Sequence, residues 1–320
     1  MSEKAYDAIV IGAGPAGEVC AGRLADGGLR VAIAESHLIG GECSYYACMP
    51  SKALLRPADV LDEARRIPGV GQMVGGELDA RAVLDRRDEV IHDLDDSGQL
   101  PWLEERGIDL FRGAARLDGE RRVVVGDDIL VAGQAVVIAT GSGAAMPPIE
   151  GLDSVPTWNN RDATTAKRVP ASMVVLGGGP VGSELSQAWA SLGTWVTLVE
   201  GGEHLLSREE PFAGEEVGGL EAGEGGADDR VLVAVDDEAR SAARVLALEA
   251  GAGAAVGRRL YGDRVDAGVA GGGEGQPGRR DLRVGEGDAG GAEAFGDCLD
   301  VSSQQVLGRD PRLVLARVGE

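Results

Sequence analysis

Cys43 and Cys48 lie in the run Gly-Gly-Glu-Cys-Ser-Tyr-Tyr-Ala-Cys-Met-Pro-Ser-Lys, soon after a glycine-rich turn. Two thiols this close can store two electrons as one S–S bond. Set beside a bound dinucleotide, they point to redox chemistry. Five residues apart on an ideal helix, the pair would be separated by a rise of about 7.5 Å and would point to different faces. A disulfide needs Cα atoms within roughly 4.4–6.8 Å. The pair is therefore expected to straddle a bend, which Gly40 and Gly41 would allow, with Pro50 in a first helical turn. Cys48 would then lie just before a helix N-terminus, where a thiolate is stabilised. The competing readings are half of a zinc site and two inert thiols. Zinc needs further ligands, and His37, His92 and His204 show no ligand spacing. Spacing alone leaves inert thiols open.

The elements that must position this pair come in two matching units. Tyr6–Ile11 reads as a buried parallel strand, Gly12-Ala13-Gly14-Pro15-Ala16-Gly17 as its turn, then a helix to about Asp26, then a strand over Arg30–Ala34 ending at Glu35. Met173–Leu176, Gly177-Gly178-Gly179-Pro180-Val181-Gly182, a helix to about Leu192 and Trp195–Val199 ending at Glu200 repeat that plan. Glu35 follows Gly12 by 23 residues, and Glu200 follows Gly177 by 23. In such a turn the first glycine bends the chain, the second admits a pyrophosphate and the third lets helix and strand close up. The helix N-terminus then offers free N–H groups to the phosphates, and the acid accepts from a ribose hydroxyl. One such turn is a weak signal; two at equal spacing predict two dinucleotide sites. Glu200 would repel a 2′-phosphate, and Gly201, Gly202 and Glu203 offer no arginine, which favours NADH in the second site.

Between the units, Asp59–Ile67 and Asp79–Asp95 carry helical spacing. Arg121–Val125 and Ile129–Val131 read as short strands, and Ala135–Ala139 as a strong one. The expected fold is α/β, with two Rossmann-like dinucleotide-binding domains. Residues 1–150 form the first dinucleotide unit with the cysteine pair, 151–217 begin the second unit, and 218–320 are irregular. From about Gly218, roughly one residue in five is glycine, lysine is absent, and only Val231–Val235 and Ala242–Leu248 suggest elements. A flexible acidic tail is one reading. The other is a GC-rich gene read out of frame, which sequencing an independent template would settle.

The chain has 320 residues and a net charge of −22, which disfavours nucleic acid as a partner. Its four cysteines (Cys20, Cys43, Cys48 and Cys298) are too few for a secreted disulfide scaffold. The N-terminus shows no leader, and no apolar run of about 18 residues predicts a membrane span. A cytoplasmic protein is expected, and in a reducing compartment a close cysteine pair is more often catalytic than structural. Cys20 reads as a core residue, the histidines other than His37 as surface, and Trp102, Trp158, Trp189 and Trp195 as packing.

Gly41-Glu42-Cys43, Cys48-Met49-Pro50-Ser51-Lys52, Ala139-Thr140-Gly141 and the two glycine turns together resemble the pyridine nucleotide-disulfide oxidoreductases, the flavoproteins that include dihydrolipoyl dehydrogenase, mercuric reductase and glutathione reductase. The resemblance runs from about Tyr6 to Glu216. It implies FAD on Gly12, Gly14, Gly17, Glu35 and Gly41, with Ala115 near the adenine and Thr140-Gly141 closing over the cofactor. It implies NAD(H) on Gly177, Gly179, Gly182 and Glu200. By the same resemblance Cys48 faces the flavin, Cys43 exchanges with a disulfide or dithiol substrate, and Lys52 pairs with Glu184 beside the reacting rings. A buried pair of that kind would hold a charge near the flavin and tune it. Electrons would pass from NADH through FAD to the sulfur pair, or in reverse.

This chain departs from the pattern where family members usually have Thr for Glu42, and Asn and Gly for Tyr45 and Ala47. The tyrosines are expected to screen the sulfurs or reshape substrate access. The family continues into a returning FAD segment with an Ala-x-Gly-Asp motif, which Ala294-Phe295-Gly296-Asp297 resembles, and then into a homodimer domain carrying a catalytic His-Glu pair. That domain is not recognisable here, and no histidine follows His204. The leading reading is thus a family member truncated or frame-shifted in its C-terminal part. The alternatives are a thioredoxin-reductase-like two-domain enzyme, whose C-x-x-C does not occur here, and a non-catalytic remnant that would aggregate.

Overall fold

The computed structural model describes residues 3–149, 151–221, 230–235 and 314–317. The expectations for Ala242–Leu248, Ala294–Asp297 and Cys298 lie outside the described residues. Apolar residues of β1 (Glu3–Ile11) make it the middle of the first sheet, with Ile9 and Val10 fully buried. The chain then forms α1 (Pro15–Asp26), β2 (Val31–Glu35), α2 (Gly41–Tyr45), α3 (Cys48–Arg66), α4 (Ala80–Val90), α5 (Leu100–Glu105) and β3 (Asp109–Arg112). An antiparallel meander follows: β4 (Ala115–Leu117), β5 (Arg122–Val125) and β6 (Asp128–Ile138). The strand order is β3-β2-β1-β6-β5-β4, with β3, β2, β1 and β6 parallel. Both faces of the parallel part are covered, as βαβ crossovers require.

The second sheet contains β7 (Thr157–Trp158), β8 (Ser172–Leu176), β9 (Trp195–Glu200), β10 (Val231–Val235) and β11 (Val314–Arg317), ordered β10-β9-β8-β11-β7. β8, β9 and β10 are parallel, and β11 runs antiparallel between β8 and β7. Helices α6 (Asn160–Thr165), α7 (Pro180–Ser191) and α8 (Pro211–Glu221) accompany it. This is the α/β, Rossmann-like architecture expected from the strand–turn–helix pattern.

Several boundaries differ from the sequence expectations. The helix read over Asp59–Ile67 is the second half of α3, which runs 19 residues and contains Pro57. Pro57 interrupted the periodicity on which the shorter reading rested. The Asp79–Asp95 helix stops at Val90, after which His92, Asp93 and Leu94 all take positive φ. The two strands read at 129–131 and 135–139 are one strand with a register shift opposite Asp7. The second half of β6 pairs with β1 alone among the described residues, and Ile138 there is 64% exposed. Trp189 is buried against Trp158, but Trp195, read as packing, is 47% exposed at the start of β9.

Arg87 on α4 is completely buried and spans to the end of α6. Its guanidinium donates to the carbonyls of Thr164 and Ala166, the latter at 2.7 Å, and pairs with Asp88 at 3.0 Å. Burial pulls its pKa down, opposed by the Asp88 carboxylate. Arg87→Met keeps the volume but strands two carbonyls, so a loss of about 3 kcal/mol in urea unfolding is expected. A loss under about 1 kcal/mol would show that these acceptors find other donors.

Candidate active site

The two glycine turns have the same geometry. Gly12 and Gly177 take φ of +100° and +106°, a region that disfavours any side chain. Their N–H groups donate to Ala34 O and Val199 O, both at 2.8 Å, closing each turn on the neighbouring strand. A Cβ on Gly17 would lie 1.9 Å from Gly12 O, and one on Gly182 would lie 1.9 Å from Gly177 O. The middle glycines differ from these. Gly14 and Gly179 have ordinary negative φ and N-cap α1 and α7 with no side-chain cap. A Cβ on Gly14 would come no nearer than 3.8 Å to anything, and one on Gly179 would meet nothing within 4 Å. The protein itself does not require glycine there, so what the missing side chains leave is space in front of uncapped N–H groups. That cradle suits a pyrophosphate.

The acids are placed with equal regularity. Glu35 accepts from the N–H of Ala13 and of His37, both at 2.7 Å. Glu200 accepts from Gly178 N–H at 2.7 Å and Gly202 N–H at 2.8 Å. Each carboxylate thus pins its turn to its strand end, one N–H per oxygen, and keeps lone pairs for a ribose hydroxyl. The residues fit dinucleotides at both turns. Thr140 and Gly141 follow β6, and Gly12 packs on the Ala139–Thr140 peptide. Ala115 begins β4, two residues after Gly113, whose N–H donates to Glu35 O at 2.8 Å. The structure therefore gathers Gly12, Glu35, Ala115 and Thr140 at one end of the first sheet.

The cysteine loop rests on the first turn. Gly40 N–H donates to Ala13 O at 2.7 Å, and a Cβ on Gly41 would lie 2.7 Å from Gly14 Cα. The positive φ of Gly40 and Gly41 serves this close approach rather than the bend between the cysteines. The bend is at Tyr46 and Ala47, both with φ of −133°, between α2 and α3. Cys43 sits in α2, half-buried, and Cys48 is the first residue of α3, exposed. Burial, and then the hydrogen-bonded Cys48 sulfur, push the Cys43 thiol up to about 12.

Lys52 Nζ donates to Glu184 Oε1 at 2.5 Å, and buried Ser51 donates to Glu184 Oε2 at 2.9 Å. The pair is not buried, as the resemblance suggested: the Lys52 side chain is 61% exposed. It borders an open cavity of about 450 Å³ whose lining includes Met49, Leu55, Arg56 and Arg86.

Cys48 stays exposed while Cys43 is half-buried. Tyr45 and Tyr46 are buried with Ile91, Leu38 and Leu94 beneath the loop. Sequence reasoning missed what holds Tyr46 and Glu42: Asn160, Arg161 and Thr164 of α6. Glu42 and Arg161 are over a hundred residues apart, and no local signal links them.

The profile described as "Pyridine nucleotide-disulphide oxidoreductase" matches residues 6–220. The chain belongs to this family. Members of this pyridine nucleotide-disulphide oxidoreductase family use FAD and NAD(P)H. The chain is 32% identical over 203 residues to dihydrolipoyl dehydrogenase from Acholeplasma laidlawii, covering 62% of this chain and 60% of that one. It is 30% identical over 218 residues to mercuric reductase from Lysinibacillus sphaericus, covering 68% and 40%. Among solved structures, the copper(II) complex of the HOCl-induced flavoprotein disulfide reductase RclA from Escherichia coli superposes with a TM-score of 0.60 at 25% identity, over 73% of this chain and 49% of that one. The chain thus spans about 40–60% of the length of these relatives. Among the described residues, no helix is long and apolar enough to cross a membrane, and no cluster of three His, Cys, Asp or Glu residues could hold a metal.

Proposed function

We propose that this chain moves electrons between NAD(H), FAD and a Cys43–Cys48 dithiol–disulfide couple, acting on an external disulfide or dithiol. The observation that carries this reading is the backbone contact of Gly41 with Gly14, which seats the sulfur loop directly on the first glycine turn. FAD, when bound, supplies a two-electron relay between a nicotinamide and the sulfurs. Gly12, Gly14, Gly17, Gly41 and Glu35 would hold it, with Ala115 and Thr140-Gly141 at its edges; Gly177, Gly179, Gly182 and Glu200 would hold the nicotinamide nucleotide. Lys52, kept in place by Glu184 and Ser51, would keep a positive charge beside the reacting rings.

At the sulfurs, Cys43 thiolate attacks one sulfur of an external disulfide. A new S–S bond forms, and the other half leaves as a thiolate that takes a proton. Cys48 then attacks Cys43 Sγ and releases the second half as a thiol, and the Cys43–Cys48 bond closes. Two electrons and two protons have passed to the substrate. A small dithiol such as dihydrolipoamide is the first substrate to test in the reverse direction, because a half-buried Cys43 favours a slender partner. A reducing, cytoplasmic setting fits a couple that must be re-reduced.

The test is to add NADH anaerobically to the purified yellow protein and count thiols. Two new thiols per chain, on Cys43 and Cys48, support the reading; a colourless protein, or flavin reduction without new thiols, overturns it. NADH is expected to react at least about tenfold more efficiently than NADPH, because the Glu200 carboxylate would repel a 2′-phosphate and no cation stands at 201–203. Equal rates measured at 340 nm would sink that preference.

A further inference from the structure

We propose that α6 clamps the bend between the two cysteines, and that Arg161, acting through Glu42, sets their dithiol–disulfide equilibrium. The inference rests on the reading that Cys43 and Cys48 cycle.

The bend consists of Tyr46 and Ala47, and each of its polar groups but one is satisfied locally. The N–H groups of both residues donate to Glu42 O, at 2.8 and 2.7 Å. The Tyr46 carbonyl, left over at the end of α2, accepts from Asn160 Nδ2 at 3.2 Å and Thr164 Oγ1 at 3.1 Å, both on α6. The Glu42 side chain continues the attachment. It accepts from Arg161 Nε at 2.6 Å and from Asn160 Nδ2 at 3.0 Å, and it also pairs with the terminal nitrogen of Arg161. The Tyr46 ring has two close neighbours. The Arg161 guanidinium lies 4.7 Å from its centroid, and the His37 ring stacks at 5.7 Å, with Nε2 at 2.8 Å from the Tyr46 hydroxyl.

The anchor is itself rigid. Asn159 and Asp162 form a reciprocal capping box at the start of α6. Arg87 holds the carbonyls of Thr164 and Ala166 at its end. Glu42, which departs from the family pattern, and its neighbour Tyr46 are therefore the residues that grip α6.

Holding the bend fixes the relative position of the two sulfurs before they bond. Such prior ordering raises their effective concentration and stabilises the disulfide relative to an external one. Loosening the bend shifts the couple toward the dithiol.

The experiment equilibrates the full-length protein anaerobically with mixtures of reduced and oxidised dithiothreitol. In this exchange, closing the protein S–S bond reduces one oxidised dithiothreitol, with two electrons and two protons transferred. Free thiols are trapped with a mass-tagged maleimide. Arg161→Ala is expected to shift the equilibrium about tenfold toward the dithiol, about 30 mV. Glu42→Gln, which keeps shape and removes the charge, should shift it about threefold in the same direction. Tyr6→Phe removes the hydrogen bond to Asp109 between β1 and β3, away from α6 and the cysteine loop, and should lower thermal stability while leaving the equilibrium within twofold of wild type. That separates positioning from general destabilisation. If wild type forms the disulfide and both loop-side variants stay within twofold of it, the clamp is refuted and the redox reading stands. If wild type forms no Cys43–Cys48 disulfide at any ratio, both are refuted.

Discussion

Gly17→Ala is expected to yield a colourless protein, whereas Gly182→Ala is expected to stay yellow and fail to oxidise NADH. The two substitutions are chemically identical and meet the same obstacle. Each new Cβ would sit 1.9 Å from the carbonyl oxygen of the first glycine of its own turn, Gly12 or Gly177. Backbone cannot yield as a flexible side chain can, so the helix must move off its turn. The cost is about 3 kcal/mol or more locally. In the first unit that displacement carries α1 away from Gly14 and Gly41, and so disturbs both the phosphate cradle and the seat of the cysteine loop. In the second it opens α7 beside Glu200 and leaves the first sheet and its own turn intact. Visible absorbance and anaerobic NADH oxidation read the two outcomes. A yellow Gly17→Ala protein with wild-type flavin content would refute the assignment of the first turn to FAD. A Gly182→Ala protein that oxidises NADH at the wild-type rate would refute the second.

Cys43→Ser and Cys48→Ser are each expected to lower NADH-dependent reduction of a disulfide by at least about 10³-fold, because neither sulfur can complete the exchange alone. The reduced wild-type protein should also show unequal thiols. Cys43 is half-buried, and burial together with the adjacent Cys48 sulfur holds its thiol up to about 12. A raised thiol pKa means less thiolate at a given pH. At pH 8 Cys43 is therefore held largely as the thiol, and its alkylation should keep accelerating as the pH rises well above 8. Iodoacetamide at pH 8 should accordingly label exposed Cys48 at least tenfold faster, as peptide mapping by mass would show. Equal labelling, or a Cys43 rate that levels off near pH 8, would contradict this description. The same property means that Cys43 needs a base to act as a nucleophile. Imidazole in the buffer should therefore speed disulfide exchange in a chain whose last histidine is His204.

Much of this was legible in the sequence because it is local. The glycine turns, their glutamates and the strands that deliver them are short-range patterns whose spacing encodes their geometry, and the repeat doubled the signal. The bend between the cysteines was likewise forced by helix geometry, although other residues make it. Gly40 and Gly41 looked like its cause, while in the structure Tyr46 and Ala47 make it and the glycines serve the approach to Gly14. What could not be read is set by tertiary contacts. Tyr45 and Tyr46 looked like residues at a substrate entrance, yet they are buried under the loop, because partners from 37 to 164 close around them. The Lys52–Glu184 pair came from family resemblance, and its exposure on an open cavity came only from the structure. β11 pairs within the second sheet from a stretch whose composition suggested no element.

The two pinned carboxylates carry a consequence for how nucleotides arrive. Glu35 and Glu200 each hold two N–H groups of their own corner, so the chain's own hydrogen bonds fix the shape of both turns. A ligand that finds its pocket folded in advance gives up no affinity to an unpopulated competent state. A nucleotide bound at either turn would therefore meet backbone that the chain's own hydrogen bonds already order.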